Sequence, residues 1–221
     1  MKRVNQVPRY YPIFLNIRGK RCVVVGGGLV ALRKVKALLE HEASVEVISP
    51  ELCPELSQLA KSRTIQVLQR NYNGGELRGA FIAIAATDDG EINNKVAEEA
   101  RAKGVLVNVV DDLEHSDFIV PSQFRRGDIA IAVSTAGKSP ALARKIRAKL
   151  EKDFGVEYAS LALLIGEVRS ELKRQGIKVN GHSWQEAIDL DVLIELLRTG
   201  QSKKAKATLL VNLERLRWTK T

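Results

Sequence analysis

Strand-like runs alternate with segments of helical periodicity through the first half of the chain. These runs, rich in β-branched and other apolar residues, occupy residues 22–25, 45–48, 65–68, 80–86 and 105–110. Between the first two, Leu32, Val35 and Leu39 recur at the spacing of one helix face. The last two are continuously apolar, as strands buried on both faces are. This alternation predicts an α/β fold with a doubly wound, mostly parallel sheet.

The pattern changes on both sides of this region. Residues 10–17 are β-prone and predict a leading edge strand or hairpin. Two runs in quick succession, 117–122 and 128–133, predict a second hairpin with a turn at 125–127. Helical spacing then covers residues 140–154, 158–175, 183–198 and 203–217. Ser139 is the predicted N-cap of the first of these helices, with Pro140 at its first position. We therefore predict three regions, at residues 1–113 (α/β), 114–150 (small α+β) and 151–221 (all-helical).

A glycine turn joins the first strand-like run to the first predicted helix. Gly26 and Gly28, with Ala31 three residues further on, satisfy the G-x-G-x-x-G/A pattern of dinucleotide-binding folds. In that pattern Gly26 makes the turn, Gly28 lets a pyrophosphate approach the backbone, and Ala31 lets the helix pack closely. The helix N-terminus offers N–H groups to the phosphates. The alternative is that the glycines only form an ordinary turn between a strand and a helix. Because they follow a predicted strand and begin a predicted helix, the sequence favours a Rossmann-like NAD-binding domain at residues 1–113.

The ribose-binding position is atypical. An acidic residue is expected at the end of the second strand, where it would hold the ribose hydroxyls. Only Glu51 is acidic there, and it lies beyond Pro50. No arginine is present to pair with a 2′-phosphate, which favours NAD over NADP.

Polar or glycine-rich clusters follow four predicted strands, at residues 26–28, 49–51, 87–89 and 108–112. Ligands of open α/β sheets bind outside the carboxyl ends of the strands. We therefore expect Thr87 and Asn108 near the cofactor, with Asp111 projecting into the same site. A simple turn carboxylate is the alternative for Asp111.

The charge balance favours a polyanionic partner. Lys and Arg number 35 against 26 Asp and Glu, a formal net charge of +9. Such a partner would be nucleic acid, an acidic membrane surface or a polycarboxylate. The alternative is a basic surface that is only solvated. Aromatic residues are 5%, and no basic stripe is interleaved with them, so nucleic acid is the weaker option.

Other features favour a cytoplasmic protein without a membrane span or metal centre. No apolar run approaches the roughly 18 residues of a spanning helix, and the first residues lack an apolar signal core. Two cysteines make no disulfide framework, and Cys22 is predicted to be a small core residue. Neither cysteine has a partner at metal-ligand spacing.

Six blocks of residues, in order, resemble the precorrin-2 dehydrogenases and the N-terminal module of siroheme synthases. They are YPIFL (11–15), GGGLVALRK (26–34), AATDD (85–89), NVVD (108–111), FIVPS (118–122) and AVSTAGKSPALAR (132–144). The resemblance covers about residues 11 to 170. It implies NAD-dependent oxidation of precorrin-2, a polycarboxylate tetrapyrrole, to sirohydrochlorin. At 221 residues we expect this chain to be too short for the methyltransferase half of multifunctional siroheme synthases.

The resemblance also implies an assembly and a second substrate. Members are homodimers whose central region intertwines, which makes residues 114–150 a dimerisation and substrate region. The tetrapyrrole binds between that region and the nucleotide domain. Some members also insert ferrous iron, so ferrous or cobaltous ion stays open as a further substrate.

Site residues follow from the resemblance by position. Nucleotide contacts fall on Leu29, Val30, Pro50 and Glu51, and the acid–base aspartate on Asp111. A modifiable serine falls on Thr135, beside Ser134, so this chain departs from the pattern there. Ser134, Thr135, Lys138 and Arg144 are the predicted substrate-binding residues, and a basic cluster of Arg125, Arg126, Lys138 and Arg144 suits a polycarboxylate. His115 is weighed as a second acid–base group, although a lone loop histidine is more often only solvated.

Three other functions remain open at this point. A different small-molecule NAD dehydrogenase would use the same fold. A non-enzymatic NAD-sensing module would need the glycine turn but no opposing carboxylate. Nucleic-acid binding by the basic tail helices is the third.

Overall fold

The computed structural model describes residues 9–218, which divide into two compact units, one ending at Val120 and the other beginning at Pro121. The first unit contains a five-stranded parallel sheet in the order β3-β2-β1-β4-β5. Its strands are β1 (Arg21–Val25), β2 (Ser44–Ile48), β3 (Gln66–Leu68), β4 (Ile82–Ala85) and β5 (Leu106–Val109). Its helices are α1 (Leu29–Glu40), α2 (Pro54–Lys61) and α3 (Gly90–Lys103). The predicted doubly wound parallel sheet is confirmed.

Two hydrophobic clusters lie on opposite faces of this sheet because successive strand residues point to opposite sides. Cys22 and Val24 of β1 belong to the cluster that contains the buried face of α1. Val23 and Val25 belong to the cluster that contains the buried face of α3. Burial raises the pKa of the Cys22 thiol to about 11, against the opposing hydrogen bond from the Ile82 backbone, as expected of a core cysteine.

The predicted leading strand is wrong. Residues 9–17 form no strand or helix, and Tyr11 and Phe14 are 85% and 75% exposed. The strand that they would have joined, β1, already pairs with β2 on one side and β4 on the other. No free edge of β1 is left for an additional strand.

The strand predicted at 117–122 is also replaced by another arrangement. Residues 117–121 form no strand, and side chains bond the outer edge of β5 instead. Val107 N donates to Asp117 Oδ2 (3.0 Å), and Val109 N donates to Ser116 Oγ (2.9 Å). Asp117 N donates back to Val107 O (2.8 Å). The first unit therefore ends at residue 120, whereas the sequence pattern divided the chain after 113 and again after 150.

The second unit begins with a β-hairpin and continues with helices. β6 (Ser122–Arg126) and β7 (Ile129–Val133) pair antiparallel around a two-residue turn, so β6 extends through the predicted turn residues Arg125 and Arg126. The helices are α4 (Pro140–Asp153), α5 (Glu157–Arg174), α6 (Gly181–Ala187), α7 (Leu190–Arg198) and α8 (Ser202–Trp218). The predicted helix at 183–198 is two helices because Asp189 caps a new one, its carboxylate accepting from Val192 N (3.2 Å). Buried residues of α5, α7 and α8 form one core.

A carboxylate on α3 holds the loop before β4. Glu99 accepts from the Tyr72 hydroxyl, from Gly75 N (2.7 Å) and from Leu77 N (3.0 Å). Burial opposes ionisation, but these hydrogen bonds outweigh it and hold the pKa of Glu99 below its usual range. A carboxylate with a lowered pKa stabilises the folded state at neutral pH, and that contribution is lost as pH falls through the lowered pKa.

Tyr72→Phe should therefore destabilise the first unit by about 1 to 3 kcal/mol at neutral pH, because a hydrogen bond to a charged group is lost. The loss of stability in acid should also be smaller and be complete at higher pH than in the unaltered protein, because the pKa of Glu99 is then lowered less by the fold. Amide hydrogen exchange of β4, followed from neutral pH down to about pH 3, measures both effects. Tyr158→Phe in the second unit is the matched control. Unchanged exchange in Tyr72→Phe would contradict the assignment.

Candidate dinucleotide-binding site

The carboxyl ends of four adjacent strands are level with one another. Val25 of β1 lies opposite Ile48 of β2 and Ala85 of β4, and Ala85 lies opposite Val109 of β5. The turns that follow these strands therefore meet at one edge of the sheet. That edge brings together the predicted residues Gly26, Gly28, Leu29, Val30, Pro50, Glu51, Thr87 and Asp111, with Asn108 near the end of β5.

Gly26 makes the turn out of β1. Its φ of +128° lies in a region that residues with a side chain rarely adopt, and a Cβ there would stand 2.3 Å from Ala86 O. Gly26 N donates to Ile48 O (2.9 Å), which extends the β1–β2 pairing by one residue. The chain can leave β1 in this direction only with glycine at position 26.

Gly27 is a required residue that the sequence pattern left without a role. A Cβ on Gly27 would lie 1.8 Å from Glu51 O and 2.6 Å from Ser49 Oγ. Gly27 O in turn accepts from Cys53 N (2.8 Å). The glycine turn and the turn after β2 are therefore in direct backbone contact. Three consecutive glycines were the only signal of it in the sequence.

Gly28 leaves open the space that a pyrophosphate needs. It is the N-cap of α1, no atom lies within 4 Å of a Cβ built on it, and no side chain caps the helix. The first turn of α1 contains no acidic residue. Among residues 9–218, the N–H groups and positive dipole end of α1 thus meet no capping side chain and no first-turn carboxylate, which fits a bound diphosphate.

The flanks of this opening are exposed. Leu29 and Val30, in the first turn of α1, are 71% and 37% exposed. Pro50 and Glu51 are exposed on the neighbouring turn, which is fixed by a hydrogen bond from Ser49 Oγ to Glu51 O (2.7 Å). The predicted contacts of these four residues with the nucleotide remain predictions.

Thr87 serves the local structure. Its hydroxyl lies 2.8 Å from Asn93 Oδ1 and 3.0 Å from Asp89 O. Asp89 caps α3 by accepting from Glu91 N (2.8 Å) and Ile92 N (3.2 Å). Thr87 thereby shapes the turn between β4 and α3 at the edge of the site, while its predicted cofactor contact remains a prediction.

Asn108 is buried and uses both ends of its amide. Its Oδ1 accepts from Lys34 Nζ (3.1 Å), and its Nδ2 donates to Phe118 O (3.0 Å). Lys34, on α1, was not predicted as a site residue. This pair of bonds ties α1, β5 and the segment after β5 together beneath the site, so Asn108 positions the end of β5.

Asp111 lies in the turn after β5 and has a left-handed conformation with φ +60°, which aspartate and asparagine tolerate better than most residues. Its side chain is exposed and has no hydrogen bond or ion pair within residues 9–218. Burial lowers the pKa of Lys34, and the charge of Arg33 adds to this effect, while the Asp111 carboxylate opposes it. Lys34 and Asp111 are thus electrostatically coupled.

Removing the charge of Asp111 should therefore lower the pKa of Lys34 further. Asp111→Asn leaves the burial of Lys34 and the charge of Arg33 in place and deletes the carboxylate that favours the ammonium form. NMR titration of the lysine ε-methylene signals with ¹³C-labelled lysine measures the change. Asp88→Asn, at the same edge, is the control. Equal Lys34 titration in both variants would contradict the coupling.

His115 has a structural partner. Its Nδ1 lies 2.6 Å from Asp112 Oδ2, while Asp112 Oδ1 accepts from Glu114 N (3.0 Å) and His115 N (3.1 Å). Partial burial opposes ionisation of Asp112, but the hydrogen bonds and charge of His115 hold the pKa of that carboxyl below its usual range. His115 is therefore a loop residue paired with Asp112.

The predicted substrate-binding residues lie in the second unit, around the loop between β7 and α4. Thr135 Oγ1 accepts from Ser139 N and Ser134 Oγ accepts from Ala136 N, both at 3.0 Å. Ser139 caps α4 and Pro140 opens it, as the sequence predicts. Lys138 and Arg144 are exposed and form no ion pair among the residues described.

Arg126 does not belong with that basic cluster. Its guanidinium donates to Glu151 O (3.1 Å) in the last turn of α4 and to Phe154 O (3.0 Å) at the C-cap of that helix. It also lies 3.6 Å from a Glu151 carboxylate oxygen. Arg126 therefore fixes the end of α4, whereas the clustering of Arg125, Lys138 and Arg144 stays a prediction.

Within residues 9–218, no helix is both long and apolar enough to span a membrane. No group of three or more His, Cys, Asp or Glu side chains in the same range is placed to hold a metal ion.

The level strand ends, the three-glycine turn and the open α1 N-terminus define an NAD(P)-binding protein of Rossmann type. Residues 13–122 match the family described as "Putative NAD(P)-binding", and residues 126–153 match the family described as "Sirohaem biosynthesis protein central". The chain is thus similar to NAD(P)-binding proteins over residues 13–122 and to sirohaem biosynthesis proteins over residues 126–153.

Similar proteins agree with this assignment. The siroheme synthase of Nitrosococcus oceani is 40% identical over 208 residues, which are 93% of this chain and 44% of that protein. The siroheme synthase of Chromobacterium violaceum is 40% identical over 202 residues, 90% of this chain and 43% of that protein. This chain thus spans less than half the length of these relatives.

A solved structure, "SirC, precorrin-2 dehydrogenase", superposes with a TM-score of 0.69 at 24% identity. The superposition covers 93% of this chain and 100% of that chain. At this identity the likeness shows the fold.

Proposed function

We propose that the protein catalyses the NAD-dependent dehydrogenation of precorrin-2 to sirohydrochlorin, on the route to siroheme and related tetrapyrroles. The observation that carries the proposal is the placement of the unpaired Asp111 carboxylate at the same sheet edge as the glycine turn. The family match and the siroheme synthase relatives support the pathway. The lack of an arginine at residues 49–53 supports NAD over NADP.

The chemistry needs a hydride acceptor and a proton acceptor. The oxidation removes one hydride and one proton from the macrocycle, and NAD, when bound, supplies the hydride acceptor. Asp111 accepts the proton. Its carboxylate is exposed and forms no hydrogen bond or ion pair with any described residue. Lys34 and Asn108 hold the end of β5 and so position Asp111. Gly28, Leu29, Val30, Pro50 and Glu51 bind the dinucleotide.

Substrate binding is proposed for the loop and helix of the second unit. The macrocycle carries several carboxylates, and Lys138 and Arg144 are exposed cations without ion-pair partners among the residues described. The Ser134 and Thr135 hydroxyls accept from backbone N–H groups, which leaves their own protons to donate to a carboxylate. A cytoplasmic homodimer and ferrous or cobaltous ion as a second substrate are proposed on the family resemblance.

The assay mixes the protein with precorrin-2 and NAD and follows the absorbance of reduced nicotinamide. We expect one reduced nicotinamide for each sirohydrochlorin formed, with slower turnover with NADP. Product analysis with and without ferrous or cobaltous ion tests metal insertion. NAD binding without turnover would favour the sensing module, and turnover of another substrate alone would favour a different dehydrogenase. Failure to bind either nucleotide would contradict all three.

A further inference from the structure

A cavity of about 420 Å³ lies in the helical part of the second unit, where α5 ends and α6 begins. Its floor is apolar and belongs to the outer layer of the helical core, with Leu172, Val179 and Trp184 packed on that core. Ile177 adds a further apolar side chain. A cavity of this size lies within the range of small-molecule sites.

The charged residues around this floor have one sign. Arg169, Lys173 and Lys178 line the cavity, and no carboxylate does. None of the three forms an ion pair within the described range 9–218. Arg169 and Lys173 are four residues apart on α5, so they share a face and repel each other when nothing anionic lies between them. The only acid of α6, Glu186, is paired with His182 (2.9 Å).

Two C-terminal carbonyls of α5 already accept backbone hydrogen bonds. Gly176 N donates to Lys173 O (3.1 Å), and Ile177 N donates to Leu172 O (2.9 Å). Gly176 adopts φ +71°, the left-handed conformation that closes a helix in this way. These carbonyls are therefore bonded by the chain itself.

Another groove on α5 shows the contrast. It contains the acids Asp128, Glu167 and Glu171 as well as the cations Arg174 and Lys206. Lys206 pairs with Glu171 at 2.8 Å, so that groove is largely neutralised by its own residues. The cavity at the α5–α6 junction has cations without such partners.

We propose that the α5–α6 cavity binds a small anionic molecule with an aromatic body, at a site separate from the dinucleotide turn. Arg169, Lys173 and Lys178 bind the anionic group, and Trp184 with the aliphatic floor contacts the ring. A single tryptophan and a cavity of limited size favour a small molecule over a nucleic-acid strand, which needs successive stacking platforms. This proposal does not depend on the dehydrogenase activity.

The test uses the full chain with NAD at saturation and anilinonaphthalene sulfonate as the probe. We expect saturable binding at one site, NMR shifts centred on residues 169–184, and affinity weakened about tenfold or more, or 1.4 kcal/mol, in the double variant Arg169→Gln, Lys173→Gln. Lys145→Gln, Lys149→Gln on α4 has the same charge change and spacing and should bind normally. The neutral probe phenylnaphthylamine should also bind at least about tenfold more weakly.

Several results would overturn the proposal. They are no saturable binding, equal affinity for the neutral probe, unaltered affinity in the α5 double variant, or displacement of the probe by a single-stranded oligothymidylate that stacks on Trp184. Trp184→Phe is the second variant, used in case the charge variant misfolds. It should weaken binding of the probe while its circular dichroism spectrum stays unchanged.

Discussion

Asp111→Asn should lower kcat for precorrin-2 oxidation by about 100-fold or more, the usual contribution of a positioned general base. An amide cannot accept the proton that leaves the macrocycle. Asparagine suits the test because position 111 has φ +60°, a conformation that asparagine tolerates and that would strain alanine. Stopped-flow absorbance of reduced nicotinamide, with NAD and precorrin-2 each varied, measures the effect.

The affinity for NAD should stay within about twofold in this variant, because the loss concerns the chemical step and not binding. Asp88→Asn changes the same charge at the same sheet edge and should retain normal turnover. Full activity in Asp111→Asn would remove this carboxylate from the mechanism. A parallel loss of NAD binding would instead indicate a damaged site.

Gly27→Ala should destabilise the first unit by about 3 kcal/mol or more, at the upper end of the cost of overpacking. The added methyl would lie 1.8 Å from Glu51 O, a backbone atom that cannot rotate away as a side chain would. Relief requires the turn after β2 to move, which also breaks the hydrogen bond from Cys53 N to Gly27 O. Dinucleotide binding should be lost at the same time.

The control and the observable for this variant both follow from the structure. Gly28→Ala places its methyl in open space at an N-cap, so it should cost less than about 1 kcal/mol yet weaken NAD binding about tenfold or more. Both tryptophans, Trp184 and Trp218, belong to the second unit, so the first unit contains no tryptophan of its own as a fluorescent probe. Hydrogen exchange of β1 and β4 is the suitable measurement. Gly27→Ala with unchanged exchange would contradict the packing argument.

Local signals carried most of what the sequence predicted correctly. The strand–helix alternation, the turn at Gly26 and the cap at Ser139 each depend on residues close together in the chain. The role of Gly27 depends on Glu51 O, an atom of the turn after the next strand. Lys34 was missed because its partner, Asn108, is 74 residues away.

The two incorrect strand predictions also arose because the outcome depends on residues elsewhere in the chain. Residues 10–17 and 117–121 have strand-like composition, but pairing depends on whether an edge is available. The edge of β1 is filled on both sides, and that of β5 is bonded by Ser116 and Asp117. Propensity alone contains no information about either.

The bonds from Ser116 and Asp117 to β5 also bear on solubility. A bare outer strand recruits strands of other molecules, and such growth leads to aggregates. Here side chains satisfy the amides that would otherwise attract them, while the opposite margin of the sheet is β3, only three residues long. The apolar parallel sheet is thus protected against edge-to-edge polymerisation at both margins.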